Sequence, residues 1–170
     1  DADNLRTLQR TGQLVVADGE GLTLIDPAKR AIVGAVRMGA HPEGFQIEQS
    51  TARAYVNMPA QHRIAVIDLA SKREVASWPA GILFANYPLA LAGGEVASVF
   101  RAPSRLLVLE AASGRRITNT DACGDSDDVH FDVRRRRLYV TCGSGEVEAF
   151  TRGASGYRSI GHVRTRRGAR

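Results

Sequence analysis

The sequence predicts an all-β protein made of repeated four-stranded antiparallel sheets, and three observations lead to this fold class. Three apolar segments, each ending in an acidic residue, recur at a spacing of 42 residues, at 22–26, 64–68 and 106–110. A short polar turn with a basic residue and a further β-type run follow each of them. No stretch sustains the 3.6-residue periodicity of an amphipathic helix. A fixed period of this length indicates a repeat architecture.

Each repeat contains four short strand-like segments separated by Gly, Pro, Asn and Asp turns. A fourth copy of the acid-ended segment is degenerate and occupies 147–150, with its following strand at 157–163. A strand-like segment also precedes each of the four copies, at 14–16, 54–56, 96–99 and 138–140. A β-sandwich would explain the strand spacing but not the recurrence. The pattern therefore predicts a β-propeller with four four-stranded blades of about 42 residues.

The predicted blades cover residues 1–40, 41–85, 86–124 and 125–167 of a single arc that spans 1–170. Because each blade of a propeller buries its faces against its neighbours, an open arc would leave two apolar faces in water. We therefore expect a tightly closed ring of four blades, a ring completed by a second copy, or a longer chain with further blades, and we favour the longer chain.

Composition excludes several other classes of protein. The 170 residues are 44% hydrophobic and 24% charged, which is typical of a globular domain and not of a disordered chain. No apolar run reaches the ~20 residues of a membrane helix, and the polar first residues predict no signal peptide within this chain. We find no nucleophile elbow, P-loop, dinucleotide fingerprint or zinc-protease motif.

Three parts of the sequence carry a family resemblance: Tyr55-Val56-Asn57, Tyr139-Val140-Thr141 and the segment from Gly124 to Val129. They resemble the YVTN-repeat β-propeller proteins of the YncE-like group. Blade three departs from this resemblance, with Ala97-Ser98-Val99 at the corresponding place. The resemblance implies a bacterial propeller of about seven blades in the periplasm or outside the cell, mostly without an assigned activity. Some relatives are described as DNA-binding, and others accompany quinoprotein dehydrogenases.

Polar residues recur just before the innermost strand of each predicted blade. In a propeller these positions surround one mouth of the central channel, so we expect an acidic ligand-binding rim there. Such a rim suits a cationic ligand or a hard divalent cation, and no other cofactor is predicted. Alternatively, these residues only form turns and tie the blades together. The predicted ligand-binding residues are Asp3, His41, Glu43, Tyr87, Asp127 and Asp128, with Glu43, Asp127 and Asp128 as the metal ligands if a metal binds.

The excess of positive charge is concentrated near the C-terminal end of the sequence. Residues 1–124 have 13 basic and 12 acidic side chains, whereas 125–170 have 10 and 6. The run Arg134, Arg135, Arg136, Arg137 is a candidate anion patch in the first turn of blade four, at the end opposite the acidic rim. It could attract nucleic acid, although no aromatic residues are interleaved with it, and a solvated turn is the alternative.

The two cysteines are candidates for one disulfide bond. Cys123 ends blade three and Cys142 ends the second strand of blade four, so both lie toward the acidic mouth. A bond between them would close a loop of about 20 residues and contribute roughly 3 kcal/mol. Two unpaired thiols are the alternative, because nearby cysteines often lack the geometry for bonding.

The sequence favours a non-enzymatic binding or scaffold propeller with a small-molecule or protein ligand at the acidic mouth. One alternative is an enzyme or dehydrogenase accessory subunit with a metal-assisted site at that mouth, such as a lactone hydrolase. A second alternative is nucleic-acid binding through the arginines of blade four. We also expect either a homo-oligomer or additional blades to complete the ring.

Overall fold

The computed structural model describes residues 2–168, so residues 1, 169 and 170 of the predicted arc lie outside the described range. Within that range the chain forms sixteen β-strands and no α-helix, with one 3-10 turn at Pro59–Gln61. None of its helical segments has the length and hydropathy needed to cross a membrane. The chain divides into two compact units, Asp1–Ile82 and Leu83–Arg170.

The first unit contains two four-stranded antiparallel sheets. The first sheet is formed by β1 (Ala2–Leu8), β2 (Gln13–Asp18), β3 (Gly21–Asp26) and β4 (Ala31–Arg37). The second sheet is formed by β5 (Phe45–Glu48), β6 (Arg53–Met58), β7 (Arg63–Asp68) and β8 (Arg73–Pro79). In both sheets the strands are adjacent in space in the order in which they follow along the chain.

The second unit repeats this arrangement with two further sheets. The third sheet is formed by β9 (Phe84–Ala92), β10 (Glu95–Ala102), β11 (Ser104–Glu110) and β12 (Arg116–Asp121). The fourth sheet is formed by β13 (Ser126–Asp132), β14 (Arg137–Cys142), β15 (Glu146–Gly153) and β16 (Gly156–Arg164). Four meandering sheets of four antiparallel strands confirm the predicted all-β, four-bladed propeller class.

Two of the acidic residues that recur every 42 positions, Asp26 and Asp68, stabilise the outer hairpins of the first two sheets. The Asp26 carboxylate accepts hydrogen bonds from the backbone N–H groups of Ala28 and Lys29, and the Asp68 carboxylate accepts one from Ser71. These backbone N–H groups lower the pKa of both aspartates, since they stabilise the charged form. The recurrence thus reflects turn formation between the third and fourth strands.

Each unit has a hydrophobic core of its own, built from the faces of its two sheets. The core of the first unit includes Val15, Leu24, Phe45 and Val56. The core of the second unit includes Val99, Leu106, Val140 and Phe150. Because successive side chains of a strand point to opposite faces, each sheet can turn one apolar face toward this core.

Candidate functional site

Three of the predicted site residues lie together in the first unit. Asp3 lies in β1, while His41 and Glu43 belong to the segment between β4 and β5. Each offers one ligand atom, and these three atoms lie within 4.8 Å of one another. Within residues 2–168 this is the only group of three or more acidic, histidine or cysteine side chains placed in this way. We call Asp3, His41 and Glu43 the polar triad.

Hydrogen bonds to backbone carbonyls outside the polar triad hold its loop in place. His41 Nδ1 lies 3.0 Å from the carbonyl oxygen of Gly19, which can only accept, so Nδ1 carries the proton of this bond. The other ring nitrogen, Nε2, faces Asp3 Oδ2 at 3.4 Å. The backbone N–H of Glu43 donates to the carbonyl of the buried Asn57 at 3.0 Å. The loop therefore presents the imidazole of His41 and the carboxylate of Glu43 from an anchored backbone, next to Asp3 of β1.

In the second unit an arginine that the sequence analysis did not single out binds one of the predicted site residues, Asp127, and its neighbour Asp125. Arg101, near the end of β10, forms ion pairs with Asp125 at 3.0 Å and Asp127 at 2.8 Å. Its Nε also donates to the carbonyl of Ser126 at 3.0 Å. Its guanidinium carbon lies 4.5 Å from the centroid of the Tyr87 ring. We call these contacts the Arg101 clamp, and they tie β10 and β9 to the start of β13.

The Arg101 clamp limits what the predicted residues of the second unit can bind. One carboxylate oxygen of Asp127 is taken by the guanidinium, and the face of Tyr87 lies against it. Asp128 is exposed, and its carboxylate accepts a hydrogen bond from the N–H of Val129 at 2.8 Å. Glu43 belongs to the first unit, so a metal site that combines Glu43 with Asp127 and Asp128 stays a prediction.

The structure joins Cys123 and Cys142 in a disulfide bond. Their Cα atoms are 6.0 Å apart, which is within the usual range for a disulfide, and both residues are buried. Cys123 follows β12 and Cys142 ends β14, so the bond links the third and fourth sheets near the Arg101 clamp.

The four consecutive arginines lie in the turn between β13 and β14. Arg134, Arg135 and Arg136 are exposed, whereas Arg137 is half-buried as the first residue of β14. Arg135 donates through both its backbone N–H and its guanidinium to Asp132, at 3.0 and 2.8 Å. These bonds lower the pKa of Asp132. The four side chains therefore differ in role, and Arg135 belongs to the turn itself.

Comparisons with known proteins show the fold and leave the family open. No family model matches the sequence, and no curated protein matches it. A chain from the crystal structure of a mitotic checkpoint complex matches with a TM-score of 0.79 and 12% identity, over 89% of this chain and 48% of that chain. A functionally unknown protein from Desulfotomaculum acetoxidans matches with a TM-score of 0.80 and 9% identity, over 95% of this chain and 56% of that one.

These likenesses place the chain in the class of β-propeller-like proteins. This chain spans about half the length of the two solved structures. At 9–12% identity the likeness concerns the fold alone. Membership of the YVTN-repeat family stays a prediction.

Proposed function

We propose that this chain is a non-enzymatic binding module, and that the polar triad binds a divalent cation or the cationic group of a ligand. The observation that carries the proposal is the convergence of three ligand atoms within 4.8 Å, from β1 and from the loop before β5. One imidazole and two carboxylates form a mixed nitrogen and oxygen donor set. Such a set suits Zn²⁺ or Mn²⁺ better than Ca²⁺, which prefers oxygen ligands alone.

The orientation of His41 supports this proposal. Histidines that bind metals usually donate their second ring N–H to a carbonyl or carboxylate, which fixes the ring and its tautomer. The bond from Nδ1 to the carbonyl of Gly19 has this form. It leaves the lone pair of Nε2 directed toward the side of the ring where Asp3 lies.

The polar residues of the second unit have a structural role, which leaves the polar triad as the candidate binding site. Through Arg101, the side chains of Asp125, Asp127 and Tyr87 hold two sheets together, so they stabilise the fold.

The disulfide supports the further proposal that the chain works in the periplasm or outside the cell, because disulfides persist in oxidising compartments.

Titration of the metal-free chain with Zn²⁺ and Mn²⁺ by isothermal calorimetry tests the proposal. We expect one ion per chain, and we expect His41→Ala to weaken binding about tenfold or more, because it removes the only nitrogen ligand. His162→Ala is the matched control, since His162 is exposed in β16 of the other unit and should leave the affinity unchanged.

Two results would contradict the proposal. The first is the absence of binding at millimolar metal, and the second is equal binding by the His41→Ala and parent chains. Lactone hydrolysis that depends on both the metal and His41 would instead favour the enzyme alternative.

A further inference from the structure

A second candidate site lies in the second unit and is independent of the polar triad. A cleft of about 410 Å³ opens among three hairpin turns, those between β9 and β10, β13 and β14, and β15 and β16. This volume is in the range of cavities that hold small organic ligands. We call it the turn cleft.

One wall of the turn cleft is apolar and aromatic. The rings of Phe131 and Tyr157 meet edge to face, with their centroids 6.4 Å apart. Val133 also lines the cleft, and 65% of its surface is exposed to solvent. Tyr157 itself is buried, and the Arg152 guanidinium lies 5.5 Å from its ring centroid. Val133 and the half-buried Phe131 therefore offer the apolar surface that a ligand could cover, and its burial would favour binding.

The acidic side chains of the turn cleft are already paired. Glu95 accepts a hydrogen bond from the Tyr157 hydroxyl at 2.6 Å and another from Arg152 Nε at 3.0 Å. Burial and the bond to Glu95 raise the pKa of Tyr157, so it remains a neutral donor. Asp132, the other acid in the lining, is bound by Arg135. Neither carboxylate is available to neutralise a further cation.

Two arginines of the turn cleft therefore remain without a carboxylate partner. Arg136 and Arg137 both line it, and within the part of the chain that the structure describes neither forms an ion pair. The charge of Arg136 acts on the phenol of Tyr157 and lowers its pKa, although burial and the bond to Glu95 have the larger, opposite effect. The lining thus combines an apolar wall with unpaired positive charge at its edge.

We propose that the turn cleft binds a small aromatic carboxylate, with its ring against Phe131 and Val133 and its carboxylate paired with Arg136. A guanidinium can hold a carboxylate through two parallel hydrogen bonds. The apolar wall would give an aromatic anion an advantage over inorganic phosphate, which cannot cover it. The concave shape and small volume favour a single small molecule over a nucleic-acid backbone, which would follow an open charged surface.

Calorimetry on the full chain with indole-3-acetate and its neutral analogue indole-3-acetamide tests the proposal. The two probes differ in charge at one group, so we expect the acid to bind about tenfold more tightly than the amide. Inorganic phosphate should bind more weakly than the acid.

A matched pair of variants tests whether Arg136 supplies the positive charge that binds the carboxylate. Arg136→Gln should weaken indole-3-acetate binding about tenfold, whereas Arg134→Gln should leave it unchanged within about twofold. Arg134 is exposed in the same turn but does not line the turn cleft. Because Arg136 has a φ of 54°, glutamine experiences the same backbone strain as arginine at this position. Val133→Glu, which places a negative charge beside the apolar wall, should also reduce binding of the acid.

Three outcomes would overturn the proposal. They are equal affinity for the acid and the amide, an Arg136→Gln chain that binds as tightly as the parent, and tight binding of a short DNA duplex that both arginine variants weaken equally. The last outcome would assign the turn to nucleic acid. The polar triad has no part in these measurements, because all residues that line the turn cleft lie between 92 and 157.

Discussion

Arg101 has a structural role at the candidate site of the second unit. It contacts two carboxylates, a backbone carbonyl and an aromatic ring, all from neighbouring strands of the second unit. A guanidinium is suited to this position because it presents several donors in one plane and can stack its face on tyrosine. Asp125 and Asp127 therefore serve as structural ion-pair partners of Arg101.

We predict that Arg101→Met lowers the free energy of unfolding by about 2 kcal/mol. The side chain of Asp127 is only 13% exposed, so removal of its cationic partner leaves a carboxylate with poor access to water. Urea denaturation followed by circular dichroism measures the loss. Arg105→Met is the control, because its ion-pair partner Asp121 is 91% exposed and its two hydrogen bonds to Asn119 also lie at the surface, so the loss should be about 1 kcal/mol or less. Equal losses in the two variants would contradict the structural role of the clamp.

At the scale of the elements, the outer hairpins show what the sequence could predict. The spacing of Asp26, Asp68 and Glu110 correctly predicts the end of the third strand in three of the sheets. The turns also repeat in backbone conformation, since Arg30, Lys72 and Gly114 all have positive φ at the same 42-residue spacing. A motif that closes a turn consists of residues that are close together in the sequence, so a sequence pattern can identify it.

Contacts between sheets could not be predicted in the same way. Glu95 meets Arg152 and Tyr157 from about 60 residues away, and the sequence contains no repeated spacing that connects them. Asp3, His41 and Glu43 occupy equivalent positions in consecutive repeats, just before an innermost strand. For that reason the sequence analysis placed them at the same mouth of the channel. The same reasoning passed over Arg101, because one arginine at the end of an apolar strand does not indicate which acids it will bind.

Gly156 controls how closely the hairpin of β15 and β16 approaches β12. A Cβ at this position would lie 2.7 Å from the carbonyl oxygen of Ile117 and still closer to Thr118 Oγ1. The Thr118 hydroxyl accepts a hydrogen bond from the backbone N–H of Tyr157 at 2.7 Å, so the contact holds the backbone of a residue that lines the turn cleft. The backbone of Gly156 also has a φ of 117°, which disfavours any other residue.

We predict that Gly156→Ala lowers the free energy of unfolding by about 3 kcal/mol, and that Gly161→Ala lowers it by about 1 kcal/mol. Gly161 has a similar φ of 131°, but no atom lies within 4 Å of the place where its Cβ would be. Backbone strain is similar in the two variants, so the difference between their losses of unfolding free energy measures the cost of the close approach to β12. Urea denaturation measures both losses, and equal values would show that the close approach has no energetic consequence.

At the scale of the whole molecule, the two units differ in how they are stabilised. The buried clusters are separate, one drawn from residues 8–69 and the other from 90–157. Only the second unit contains a disulfide bond, and that bond closes a loop across a sequence separation of 19 residues. On the chain-entropy estimate such a loop contributes about 3 kcal/mol, through its restriction of the unfolded state.

We predict that the Cys123→Ser, Cys142→Ser double variant loses stability in the second unit and not in the first. Proteins open in cooperative substructures, and a unit with a core of its own can lose stability while the rest keeps its protection. Hydrogen exchange measured by mass spectrometry should therefore be faster throughout 83–168 in the variant, with the protection of 2–82 unchanged. A reducing agent should reproduce this pattern in the parent chain. It should have no effect on the double variant, which lacks the disulfide and therefore controls for any other effect of the reducing agent. Equal acceleration in both units would mean that the chain unfolds as one cooperative body, and the effect of the disulfide would then extend to the polar triad.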